Sequence, residues 1–143
     1  VALWPVRDPE TSLLMKAFYT GMRDGLSKAV ALQAAQQHVR DLTITEVIAY
    51  CESIRPSAEA SHLAIARSIA ELRVRASDVA GAVRDYEEIL RQLSPTALGR
   101  AGLATFLATL KDVPPGTFTP DYGRRPFDMP ICWAPFTLVG DWH

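Results

Sequence analysis

Val1-Ala2-Leu3-Trp4-Pro5-Val6 is a short apolar run, and Asp8-Pro9-Glu10 follows it almost at once. The run reads as a buried strand. The triplet after it reads as a helix start. Asp8 accepts hydrogen bonds from free N–H groups of the first turn, Pro9 needs none at the first helical position, and Glu10 favours the positive end of the helix dipole. A strand passing into a helix places Trp4, Asp8 and the helix N-terminus where α/β sheets usually bind ligands. A second apolar run, Trp133-Ala134-Pro135-Phe136-Thr137-Leu138-Val139-Gly140, reads as another strand, with Pro135 marking an edge or a bulge. Almost everything between the two runs is patterned as helix. The expected fold class is therefore α/β, mostly helical with a few strands at the two ends, which pair in one sheet covered by the helices.

The helices follow from periodicity and caps. Pro9 to Asp24 is the first, with Leu14, Phe18, Gly21 and Met22 on one face and Gly25 ending it. Ser27 caps the second, Lys28 to Arg40, whose inner face is Ala31, Leu32, Ala35, His38 and Val39. Its alanines allow close approach to a neighbour. Thr43-Ile44-Thr45-Glu46 is a capping box for the third, with Val47, Ile48, Cys51 and Ile54 inward and Arg55-Pro56 stopping it. Ser57 opens a fourth helix to about Arg75, through Leu63, Ala66, Ile69 and Leu72. Ser77-Asp78 starts a fifth, and Val79, Ala82, Val83, Tyr86, Ile89, Leu90 and Leu93 form the clearest amphipathic stripe in the chain. Ser94-Pro95 reads as a cap plus first-turn proline for a sixth, running through Leu98, Phe106 and Leu110. Val113 to Pro130 holds five prolines and two glycines and is expected to be an irregular surface connection.

A length of 143 residues is one domain's worth of chain, and 48% hydrophobic content is ample for a core. A net charge of −1 gives no electrostatic reason to expect nucleic acid or a membrane surface as partner. No apolar run reaches membrane-spanning length, and no basic-then-apolar signal segment opens the chain. Cys51 and Cys132 are expected to be free thiols in a reducing, cytoplasmic compartment. With only two strong strand candidates, the chain reads as a piece of a larger protein.

Catalytic signals are poor. His38, His62 and His143 lie on different segments. His38 is expected to be a hydrogen-bonded core histidine, and His62 has no carboxylate or cysteine at metal-ligand spacing. Cys51 reads as a buried small apolar residue, and a cysteine nucleophile needs a base in hydrogen-bond reach. No Gly-rich phosphate loop, Cys-x-x-Cys or Gly-x-Ser-x-Gly is present. Arg124-Arg125 is expected to be a solvated pair. No cofactor and no metal are expected.

Three stretches together carry a resemblance. Val1-Ala2-Leu3-Trp4-Pro5-Val6-x-Asp8 is followed by Leu14-Met15 and Phe18-Tyr19, then by Gly25-Leu26-Ser27-Lys28-Ala29 and Ala31-Leu32-x-x-Ala35-Gln36. The end has Trp133-Ala134-Pro135-Phe136-x-Leu138-x-Gly140-Asp141. In this order they resemble the C-terminal half of CHAT domains, the caspase-like proteins related to separase and often found after tetratricopeptide repeats. The match covers about residues 1–54 and 126–142. Met129, Cys132 and His38 depart from the family pattern, standing where histidine, an aromatic and an aromatic are usual.

The resemblance implies that residues 1–143 are the C-terminal part of a single caspase-like domain, with a variable helical insert at about 55–125. It implies a cysteine endopeptidase whose catalytic His and Cys lie upstream of this chain, so that no catalytic residue maps here. The partners it implies are that upstream part, tetratricopeptide repeats and a protein substrate. The strand before Asp8 and the loop after it would help build the substrate pocket. Separase has an acidic residue at the Asp8 position that faces a basic P1 side chain. Asp8 therefore has two competing roles, pocket carboxylate and N-cap. Trp4 is either a pocket wall or core. The competing function is a non-catalytic helical interaction or scaffold module, in which the Val79 to Leu93 stripe packs on a partner protein.

Overall fold

The structure is a computed structural model and describes residues 8–54 and 62–133. Its elements in order are α1 (Asp8–Arg23), α2 (Lys28–Asp41), α3 (Ile44–Ile54), α4 (His62–Arg75), α5 (Val79–Gln92), α6 (Arg100–Lys111) and α7 (Pro130–Trp133). Among the described residues every regular element is a helix and there is no strand or sheet. This corrects the α/β expectation. The strand read at Val1 to Val6 lies outside the described residues. The one read from Trp133 begins in a helical turn instead, and its other residues also lie outside them. Periodicity cannot separate a short apolar strand from a short apolar helix. Here Pro130 supplies the φ of a first helical position, and Cys132 N–H donates to the Met129 carbonyl at 3.0 Å.

The chain divides into two compact units. One holds the described residues up to Thr43 and from Arg125 onward; the other is Ile44–Arg124.

In the first unit α1 packs on α2, and α7 touches both. Leu13 and Leu14 of α1 and Ala31, Ala35 and Val39 of α2 are buried. At Gly21 the two helices lie close together. A Cβ there would sit 3.3 Å from that of Ala31, so the small residues of both helices set the spacing. Gly25, at φ +90°, ends α1. Its N–H reaches the Met22 carbonyl and that of Leu26 reaches Gly21, the hydrogen-bond pattern of a Schellman end. Ser27 then caps α2 by accepting the Val30 N–H. The buried stripe runs through Ala31, Ala35 and Val39, and His38, one position off it, is exposed. His38 is not the core histidine that its place in the pattern suggested.

In the second unit α4, α5 and α6 pack in sequence, and α3 lies against α4. The core is Ala66 and Ala70 of α4, Ala82, Tyr86 and Ile89 of α5, and Leu107 and Leu110 of α6. Val79, Val83, Leu90 and Leu93 pack against it, so the amphipathic stripe of α5 is spent inside the unit. The Tyr86 and Phe106 rings meet edge to face with centroids 5.4 Å apart. Burial pushes the Tyr86 hydroxyl pKa up to about 12.

Two boundaries differ from expectation. α4 is described from His62, and the opening read at Ser57 lies outside the described residues. Ser94-Pro95 does not start α6. The Ser94 carbonyl accepts Ala97 N–H in a turn, Gly99 takes φ +83°, and the helix begins at Arg100. The positive φ at Gly99 interrupts any helix begun at Pro95. Arg100 donates to the carbonyls of Leu90 and Leu93, which satisfies the frayed end of α5, and Leu98 is left fully exposed.

Candidate functional site

Asp8 is the first residue of α1, one position inside the cap that its sequence predicts, while Trp4 lies outside the described residues. Glu10, in the same first turn, is the one charged residue buried among the described residues, at 4% exposure. The sequence assigned it only a dipole role. A buried carboxylate at a helix N-terminus is placed where the free N–H groups and the dipole offset its desolvation.

Of the two cysteines, Cys51 is unsuited to act as a nucleophile. Cys51 is buried, and burial followed by the Glu52 charge pushes its thiol pKa up, away from the thiolate form. Cys132 is half-buried. His62 is the first residue of α4, and His143 lies outside the described residues. Among the described residues no three His, Cys, Asp or Glu side chains group as a metal site. Arg124 and Arg125 are exposed but engaged: Arg124 donates to the Arg75 carbonyl and Arg125 pairs with Asp41, each at 3.1 Å.

A different cluster lies in the second unit, at the turn between α4 and α5. Asp78 caps α5, its Oδ1 accepting Gly81 N–H at 2.9 Å. Its Oδ2 accepts the Tyr122 hydroxyl at 2.5 Å and lies 3.4 Å from Arg73. Arg73 also reaches the Tyr122 oxygen at 3.3 Å, and its Nε pairs with Asp85 at 2.8 Å. Gly81 leaves room for this arrangement, since a Cβ there would fall 2.0 Å from Asp78 Oδ2. Burial alone would raise the Asp78 pKa. The hydrogen bonds from Tyr122, Gly81 and Arg73, with the Arg73 charge, outweigh it and hold the carboxyl below its ordinary value. For Tyr122, burial and then the Asp78 carboxylate raise the hydroxyl pKa. The group is a charge network that binds a distant segment. In sequence only Asp78 was visible, as a cap. Tyr122 stands 44 residues away in a loop whose composition predicts irregular backbone.

Beside it lies an open groove of about 400 Å³, between the start of α5, the end of α6 and the connection after α6. Its apolar lining includes Val79, Val83, Leu110, Pro114 and Phe118. No described helix is long and apolar enough to cross a membrane.

Comparison with known proteins gives one match of consequence. The family model for the CHAT domain matches residues 1–141. Comparisons with curated proteins and with solved structures give no match. Since the family match covers nearly the whole chain, this protein belongs to the CHAT-domain family, a family of caspase-like peptidases.

Proposed function

We propose that this chain forms the substrate-pocket side of a CHAT-type caspase-like cysteine endopeptidase acting on a protein substrate in the cytoplasm. The catalytic His and Cys are contributed by a segment upstream of it. Asp8 faces a basic P1 side chain of the substrate, and Trp4 lines the same pocket. The observation that carries this reading is the coincidence at Asp8. An acidic residue opens α1 inside the stretch, residues 1–141, that the CHAT family model matches. Carboxylate and guanidinium pair bidentately, and such charge-assisted hydrogen bonds are roughly twice as strong as neutral ones. The buried, thiol-form Cys51 supports a nucleophile drawn from elsewhere. The rival reading, a module that docks a partner through the α5 stripe, loses its surface, because that stripe is core.

The test is Asp8→Asn in the intact protein, assayed on matched peptides with arginine or a neutral residue at P1. Asparagine is as good an N-cap as aspartate, so the melting temperature is expected to stay put. The kcat/KM for the arginine peptide is expected to fall by about tenfold or more, roughly 1.4 kcal/mol per decade. If the arginine-to-neutral ratio does not change, Asp8 is a helix cap and the pocket assignment fails.

A further inference from the structure

The connection from Asp112 to Phe127 is exposed for most of its length. Between Val113 and Pro126 the one residue not exposed is Tyr122. The segment is held by polar contacts, and three of them converge on the α4–α5 turn. Asp121 N–H donates to the Ala76 carbonyl at 2.7 Å, Tyr122 hydroxyl to Asp78 at 2.5 Å, and Arg124 to the Arg75 carbonyl at 3.1 Å. From that position the segment reaches α3. The Tyr122 carbonyl accepts Thr45 N–H at 3.2 Å and the Thr45 hydroxyl at 3.3 Å, and the Arg124 carbonyl accepts Ile44 N–H at 2.9 Å. Ile44 and Thr45 are in the first turn of α3, where N–H groups have no partner within the helix. The earlier part of the same segment, Val113 to Pro120, is one wall of the 400 Å³ groove.

We propose that 113–124 is a latched strap: Asp78 and Arg73 hold the Tyr122 hydroxyl, and its release lets the strap swing from the α4–α5 turn, uncapping α3 and opening the groove wall. A segment whose side chains are all exposed except Val113, where it leaves α6, and Tyr122 has little apolar burial to hold it closed, so its opening free energy is set by its hydrogen bonds. Asp78 is fixed independently by its cap on α5, so the latch opens on the Tyr122 side. The entry to this unit, at Ile44, and its exit, at Arg124, are clasped by the same segment. Opening therefore loosens both ends of the unit at once.

The experiment is amide hydrogen exchange on the intact protein, wild type against Tyr122→Phe and Asp78→Asn. Phenylalanine keeps the ring and removes only the latching hydroxyl. Exchange at Ile44, Thr45 and Asp121 is expected to speed up about tenfold in Tyr122→Phe, the effect of losing one hydrogen bond to a charged group. The amides of Ala35 and Val39 in α2 should be unmoved. Asn at position 78 still caps α5 and still accepts from Tyr122, so Asp78→Asn should give the same pattern at a smaller size, and it carries the test should Tyr122→Phe not fold. Unchanged exchange at Ile44 and Thr45 overturns the latch. So does an equal rise at α2, which would make the hydroxyl a support of general stability.

Discussion

Two helix pairs in this protein, α1–α2 and α4–α5, end their first helix with the same backbone pattern and secure it by different means. At the end of α1, Gly25 and Leu26 N–H bond back to Met22 and Gly21; at the end of α4, Ser77 and Asp78 N–H bond back to Val74 and Arg73. Gly25 takes φ +90° without penalty, and the pair is then set by contact between small residues, Gly21 against Ala31. Ser77 takes φ +63°, a strained conformation for a residue with a Cβ, at a cost of about 1 kcal/mol. That strain is held by a charge network, in which Asp78 next door caps α5 and binds Tyr122 and Arg73. One turn is closed by shape and the other by polar contacts, and only the second brings in a distant segment.

The largest expected effect comes from removing the carboxylate. Asp78→Ala loses an N-cap, about 1 kcal/mol. It also strips Tyr122 and the half-buried Arg73 of an acceptor, about 2 kcal/mol more. The matching change in the other pair, Ser27→Ala, removes an exposed cap with a long 3.5 Å contact, and should cost about 0.5 kcal/mol. Urea unfolding midpoints measure both. Equal losses would reduce Asp78 to an ordinary cap and erase the difference between the two turns.

The backbone itself gives a smaller effect of opposite sign in the two pairs. Gly25→Ala should destabilise by about 1 kcal/mol, and Ser77→Gly should stabilise by up to about the same amount. Added Cβ atoms meet nothing within 4 Å at Gly25, so the penalty there is conformational and not a clash. The readout is the pair of melting temperatures against wild type. Destabilisation by Ser77→Gly would mean that the Ser77 side chain holds the turn in a way that outweighs its strain.

The same contrast explains which parts of the fold were legible in sequence. Gly25, Ser27 and Asp78 signal helix ends through their own side chains or lack of one, and all three act where the sequence places them. The α5 stripe is equally local, and its residues form or pad the core. The failures come where residues outside the motif decide. His38 fits a helical face one step too wide, since the buried stripe of α2 is only Ala31, Ala35 and Val39. Ser94-Pro95 is a good helix start that Gly99 overrides. Trp133, read as the start of a strand, is instead the last residue of the helical turn that Pro130 opens. Near the candidate site, the start of α1 was readable to within one residue from Asp8-Pro9-Glu10 alone. The Asp78–Tyr122 contact was not, because nothing in a proline-rich loop says which carboxylate its tyrosine will meet.

Acid separates the two units most finely. Asp78 and, in the first unit, Asp41 both hold carboxyl pKa values below the ordinary 3.8. For Asp41 the chief cause is the Gln37 hydrogen bond, opposed by desolvation and helped by the charges of Arg40 and Arg125. A carboxyl whose folded pKa is depressed contributes stability that is complete above its unfolded value and is lost as pH falls through the folded one. The window for both is therefore below about pH 4. Asp41 is solvent-facing, so salt screens its ion pairs with Arg40 and Arg125, whereas Asp78, with 16% of its side chain exposed, is shielded. Melting temperatures taken from about pH 6 down to about pH 3, at low and high salt, resolve the two contributions. Asp78→Asn should flatten the acid slope at either salt concentration, because asparagine keeps the cap and does not titrate. Asp41→Asn should flatten it less, and chiefly at low salt. A slope that Asp78→Asn leaves untouched would show that the Tyr122 and Arg73 contacts do not favour the ionised carboxylate in the folded protein.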